Sequence, residues 1–286
     1  MQNKYQKKGM LMAFTAVMLL TPDSLFIRLA NISSWNLIFY RGFIPFALVF
    51  GGLLIVYKNK FINEIFSNGW HGVAYALIFS ITNITFVISI ENTNVANTLI
   101  MVALAPMLSA VISFIFLNEN PDQKTWIAII ITTLAVVYIF YDALDTGDIL
   151  GNLLGLLTAL GLAVGAVIAR SAKKISLVPS AMIGKLIVAL IGFYFADNLI
   201  LKDTDITIVP LMCVMCVAVP FVLVTLAPRY ITAAEVNLFF LLETILGPLW
   251  VWMVVKEQPS IETIIGGTAI IITIAIHSLL VLKQNR

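Results

Sequence analysis

Glu119-Asn120-Pro121-Asp122-Gln123-Lys124-Thr125 and Glu257-Gln258-Pro259-Ser260-Ile261-Glu262-Thr263 share the pattern Glu-x-Pro-x-x-x-Thr at an offset of 138 residues. Each copy ends one long apolar run, 94–117 or 231–255, and opens another, 125–141 or 260–282. At the same offset Ala96 falls on Ala234, Asn97 on Glu235 and Leu104 on Leu242. Gly9 and Arg28, 19 residues apart, recur as Gly151 and Arg170 at an offset of 142. This spacing divides the chain into two halves, 1–146 and 147–286.

The composition says where such a chain lives. Of its 286 residues 60% are hydrophobic and 11% charged, with a mean hydropathy of +1.01. A soluble domain carries roughly 25% charged residues. A soluble enzyme, a nucleic-acid binder and a disordered chain are thereby excluded, and an integral membrane protein is left. A spanning helix needs ~20 apolar residues. Ten stretches qualify: 9–29, 35–57, 70–90, 94–117, 125–141, 149–169, 178–197, 206–227, 231–255 and 260–282. The runs are continuous and not alternating, so a transmembrane β-barrel is excluded. The first run has no small-residue cleavage site after it and contains Asp23, so it reads as a retained helix. The expected fold is all-α, with five transmembrane helices in each half.

Orientation follows from lysine and arginine alone. With the N-terminus inside, the cytoplasmic segments hold Lys4, Lys7, Lys8, Lys58, Lys60, Lys124, Arg170, Lys173, Lys174, Arg229, Lys283 and Arg286. The outer loops hold only Arg28, Lys202 and Lys256. Both termini are therefore expected in the cytoplasm. Five is odd, so the second half enters the membrane from the opposite side, and Glu119 and Glu257 fall on opposite faces. Inverted repeats of this kind are typical of secondary transporters.

With two five-helix halves and these loop motifs, the sequence resembles the drug/metabolite transporter superfamily, specifically its EamA-type ten-helix members. Where that family ends a helix with Leu-Gly-Glu before a proline-opened helix, this chain has Leu117-Asn118-Glu119 and Val255-Lys256-Glu257. The glycine is replaced in both. Leu242-Glu243 also resembles the family's pattern, with Thr244 where a proline is common. The resemblance implies a transport role in a cell's inner membrane and, because most of the family are described as exporters, efflux.

Ionisable groups inside a span cost a few kcal/mol each and mark functional sites or partners. Five lie within the runs: Asp23, Arg41, Lys185, Glu235 and Glu243. Asp23 and Arg41 fall at similar depth on adjacent helices, as a structural ion pair or as a substrate-facing pair. Pro22 beside Asp23 removes a backbone donor and is expected to kink the first helix. Lys185 and Glu243 lie near the middles of the seventh and ninth helices, where they either neutralise each other or line a site. Glu235 and its repeat partner Asn97 are expected to face a central cavity. Asn83, in the middle of the third helix, joins them or makes a helix–helix hydrogen bond. Pro45, Pro106, Pro210, Pro220 and Pro248 also interrupt runs and are candidate bending points. Arg28, Glu91, Arg170, Arg229 and Lys256, near helix ends, read as interface anchors.

Other chemistry lacks its residues. Cys213 and Cys216 lie in an apolar run and read as packing; His71 and His277 are too few and too far apart for a metal site. No phosphate-binding Gly-x-x-x-x-Gly-Lys-Ser/Thr sequence occurs, and no cofactor is expected. The expected function is secondary active transport of a small polar metabolite, an amine, amino acid or similar zwitterion, by alternating access. A substrate cation and a proton competing for Glu235 or Glu243 would couple their movements in opposite directions. The expected partners are the substrate, protons and the lipid bilayer, with no nucleic acid, and the chain acts as a monomer or homodimer. The alternative is a membrane-embedded enzyme acting on a lipid, which would need an acidic or His-rich cluster at one interface. A channel would want rings of like charge, where these charges are scattered and mixed.

Overall fold

The computed structural model describes residues 2–117, 123–146, 148–172, 175–231 and 233–284. Among them every regular element is a helix. The first apolar run holds α1 (Gln2–Leu20) and α2 (Asp23–Leu29); the second holds α3 (Ser34–Tyr57), followed by a short α4 (Phe61–Ser67). Next come α5 (Gly69–Asn92), α6 (Val95–Val102), α7 (Ala105–Leu117) and α8 (Gln123–Thr146). The second half has α9 (Ile149–Ser171), α10 (Val178–Phe195), α11 (Asp205–Met212), α12 (Val219–Leu226), α13 (Ala233–Val255) and α14 (Ile261–Gln284). Local chemistry sets several starts. The Ser33 hydroxyl accepts from the Asn36 N–H and the Asn94 side chain from the Ala96 N–H, each satisfying a donor that the first turn leaves open.

Seven stretches are long and apolar enough to cross a bilayer: Lys7–Leu29, Ser34–Ser67, Gly69–Asn92, Val95–Leu117, Ile149–Ser171, Val178–Phe195 and Asp205–Arg229. Three shorter apolar helices, Trp126–Ile139, Leu242–Val255 and Ile261–Thr273, fall in the expected fifth, ninth and tenth runs. The distribution of polarity is the reverse of a soluble protein's. Asp23, Asn36, Arg41, Ser80, Lys185 and Glu243 are buried, whereas Leu11, Ile55, Phe116, Leu134, Phe193 and Met253 are exposed. In water that exterior would be heavily penalised; against lipid it is matched. The chain is a multi-pass membrane protein.

Prolines interrupt three helices. Pro22 cannot donate to the Met18 carbonyl, the first helix breaks at Thr21-Pro22, and the Thr21 hydroxyl takes over that carbonyl at 3.1 Å. Ahead of Pro106 the fourth run breaks at Ala103-Leu104. Ahead of Pro220 the eighth passes through a π-helical segment, Cys213–Ala218. Pro45, Pro210 and Pro248 sit inside continuous helices and break none of them.

Many of the helix contacts recur when the two matched repeats are exchanged. α3 packs on α10, α8 on α14, and α6 on α13. α5 packs on α9 as α12 packs on α1; α6 and α7 pack on α9 as α13 packs on α1 and α2. Two glycines one repeat apart make matching close contacts. A Cβ on Gly151, at the start of α9, would stand 2.5 Å from the Asn92 carbonyl oxygen at the end of α5. A Cβ on Gly9, in α1, would stand 2.7 Å from Cβ of Tyr230, just beyond α12. Arg28 donates to the Thr93 carbonyl, beside the first contact, while Lys8 stacks on the Tyr230 ring at the second. Arg28 and Gly9 are at opposite ends of one span, so the two equivalent contacts lie on opposite faces.

Candidate functional site

All three proline-made interruptions border one small cavity of about 110 Å³. Leu20 and Asp23 flank the first break, Val102 precedes the second, and Cys216 and Val217 belong to the π-helical segment. Irregular backbone at membrane depth is tolerated where it lines such a cavity. Between these breaks, α3, α5, α9, α10, α12 and α13 contribute the rest of the wall.

Asp23 is fully buried at the N-terminus of α2. It accepts two parallel bonds from the Arg41 guanidinium on α3: Nη1 to Oδ1 at 2.5 Å and Nη2 to Oδ2 at 2.8 Å. The bidentate fork fixes both side chains. Arg41 Nη1 also meets the Met212 sulfur at 3.5 Å, and Arg41 Nε has no partner among the described residues. The pair expected from depth alone is formed, and both members line the cavity.

Lys185, on α10, is fully buried yet forms no ion pair among the described residues. Its ammonium donates to Oδ1 of Asn83 on α5 and lies over two rings, 5.3 Å from the centre of Phe79 and 5.7 Å from that of Phe221. Cation–π contact and one amide oxygen hold the charge without cancelling it. Asn83 spends its amide nitrogen on the Phe79 carbonyl, 2.7 Å away in its own helix. It therefore makes the helix–helix bond and lines the cavity as well. Glu243, 4% exposed on α13, borders the same cavity and has no hydrogen-bond or ion-pair partner among the described residues. The direct Lys185–Glu243 neutralisation considered from the sequence is absent; Asn83 occupies the lysine instead.

Five of the seven candidate residues thus meet at one place: Asp23, Arg41, Asn83, Lys185 and Glu243. Asn97 is elsewhere. It is buried in α6, where its amide donates to the Thr93 hydroxyl at 3.2 Å and its oxygen accepts from the Thr263 hydroxyl at the start of α14. One helical turn from the loop, it fastens two helix starts rather than facing the cavity. Glu235 lies in α13, two turns before Glu243, and its side chain is outside the described residues, as are Asn118 to Asp122 of the first loop motif.

Sequence reasoning missed the apolar part of the site. Phe79, Phe86, Phe221 and Phe240 line the cavity, with the Thr82 and Thr158 hydroxyls between them. Eighteen phenylalanines in an apolar chain carry no sign of which face a cavity and which face lipid. The Cys213-x-x-Cys216 pair is reduced and buried; Cys216 lines the cavity and Cys213 packs behind it.

Comparison with known proteins agrees with this architecture. No curated protein matches the sequence. One crystal structure of a protein superposes with a TM-score of 0.70 at 15% identity, over 96% of this chain and 98% of that one, and shows that the fold as a whole is shared. The model of the EamA-like transporter family matches twice, over residues 7–141 and 149–279. The two matches cover nearly the entire length, and the chain belongs to the EamA-like transporter family, within the drug/metabolite transporter superfamily.

Proposed function

We propose that the protein is a secondary active transporter exporting a small zwitterion or amine, such as an amino acid, across the inner membrane by alternating access. A single observation carries this reading. Lys185 and Glu243, a base and an acid, are both buried on one cavity and do not pair with each other. A buried charge without a counter-ion is expensive, and a ligand that supplies the missing partner recovers part of that energy. A zwitterion supplies both: its carboxylate meets Lys185 and Asn83, its ammonium meets Glu243. Asp23–Arg41 is already internally neutral and shapes the wall, with Arg41 Nε left as a spare donor. When no substrate is present, a proton on Glu243 removes its charge, so substrate and proton compete and move in opposite directions.

The reading takes ten spans, both termini in the cytoplasm, and halves 1–146 and 147–286 that exchange roles, with the cavity where they meet. The site is complete within one chain, so it works equally in a monomer or homodimer. The test is release of a preloaded amino-acid mixture from proteoliposomes, analysed by mass spectrometry, with and without an imposed pH gradient. The expected result is saturable release of one or a few zwitterions, accelerated by external protons. Release no faster than from protein-free liposomes for every solute would overturn the proposal.

A further inference from the structure

On the face carrying Arg28, a cavity of about 530 Å³ between α6, α13 and α14 reaches the α13–α14 loop at Gln258 and Pro259 but shares no lining residue with the central one. Leu25, Ile27, Leu37, Ile90, Leu99 and Val251 fill the space above the Asp23–Arg41 pair in one apolar cluster. Over this cluster lies a polar clasp. Arg28, at the end of α2, donates through Nη2 to the Thr93 carbonyl at 2.7 Å and to Glu257 Oε1 at 3.3 Å. Its Nε stands 2.9 Å from Glu257 Oε2, close enough for ion pairing but not aligned as a hydrogen bond. The same Glu257 accepts from the Val95 N–H at 2.7 Å, and Asn94 donates to the Gln258 carbonyl at 3.1 Å. Three connections, α2, the α5–α6 loop and the α13–α14 loop, are thereby joined through two charged side chains.

The opposite face differs. A second cavity of about 80 Å³ shares Phe79, Thr82, Asn83, Leu162, Val224 and Phe240 with the first. It continues past Tyr75 to Ala169, near the end of α9, and Pro228, just beyond α12. Its wall along α9 includes Gly165, where an added Cβ would meet nothing closer than 3.8 Å. The space that overlaps the central cavity thus runs toward the Tyr230 face, while the apolar cluster separates the Asp23–Arg41 pair from the clasp.

We infer that Arg28 and Glu257 form the gate on their face, closed here while the cavity communicates with the opposite face. Both side chains are about one-fifth exposed, so water from their own face reaches the pair and can take over its bonds when the loops part. Two of the elements the clasp joins have breaks beside the cavity wall, α2 at Thr21-Pro22 and α6 at Ala103-Leu104, so releasing the clasp frees them to move about those points. The pair also belongs to the repeated unit: Arg28 and Glu257 correspond in sequence to Arg170 and Glu119, at offsets of 142 and 138. The inference rests on the family's transport role and not on the substrate proposed above.

The experiment reads access directly and needs no substrate. A reporter thiol, Leu20→Cys, is placed in the cavity wall in a chain with Cys213→Ala and Cys216→Ala. A second chain carrying Lys202→Cys marks the Arg28 face. An impermeant maleimide is applied to each face in sealed vesicles, and folded protein is quantified by size-exclusion chromatography. With the clasp intact, the reporter should label from the face opposite the marker. Arg28→Gln or Glu257→Gln should raise labelling from the marker's face at least fivefold. Arg28→Lys, which keeps the charge and loses the fork, serves if those variants fold poorly and should raise it at least twofold. The exchanged pair, Arg28→Glu with Glu257→Arg, should fall below either single variant. Equal labelling of the reporter from the marker's face before and after these changes would overturn the gate, as would labelling of the parent from that face at the marker's own rate.

Discussion

Asp23 and Arg41 show how far a single residue can be read. A charge within an apolar run is conspicuous because its insertion is costly, and two opposite charges at one depth on adjacent helices invite pairing. The structure adds the bidentate geometry and the position on the cavity. Removing one member of a buried pair leaves an uncompensated charge, which costs about 3–5 kcal/mol, whereas removing both is milder. Asp23→Ala should therefore lower folded yield sharply, and Asp23→Ala with Arg41→Ala should recover yield without recovering transport. Yield by size-exclusion chromatography and flux in proteoliposomes, measured on the same preparations, separate the two effects. Full flux in the double variant would make the pair a structural lock alone. Depth arithmetic fails where contacts depend on rotation about a helix axis. Asn97 was placed at the cavity by its repeat partner, yet it points to Thr93 and Thr263.

Proline was the most informative signal at the scale of the element, though an ambiguous one. Pro22, Pro106 and Pro220 accompany interruptions that border the cavity; Pro45, Pro210 and Pro248 lie in continuous helices. Sequence alone does not separate the two sets, because the lost hydrogen bond is the same in each. What differs is the surroundings, such as the Thr21 hydroxyl that takes over the Met18 carbonyl. Pro22→Ala restores the missing donor and favours a continuous helix, since proline is ~3 kcal/mol worse than alanine in a helix interior. The variant should melt no lower than the native protein in a thermal scan, yet its flux should fall at least tenfold. Native flux in this variant would show that the break has no part in transport.

The presence of two repeats was legible from two loop motifs and two glycine–arginine spacings, because connections between spans carry polar residues whose spacing stands out in apolar sequence. The contacts of Gly9 and Gly151 on opposite faces give that repeat its three-dimensional form. The cavity itself was not legible, since its walls are phenylalanine and threonine in a chain full of both. The proposed function assigns Lys185 and Glu243, both on the cavity wall, to the two ends of one solute. The most direct measurement compares transport of an amino acid, its methyl ester and the corresponding amine by the native protein, Lys185→Met and Glu243→Gln. The native protein should favour the zwitterion. Lys185→Met should lose the preference for a free carboxylate, moving ester and acid alike, and Glu243→Gln should lose both recognition of the ammonium and the response of flux to pH. If both variants retain the native selectivity and pH profile, the two charges do not bind substrate.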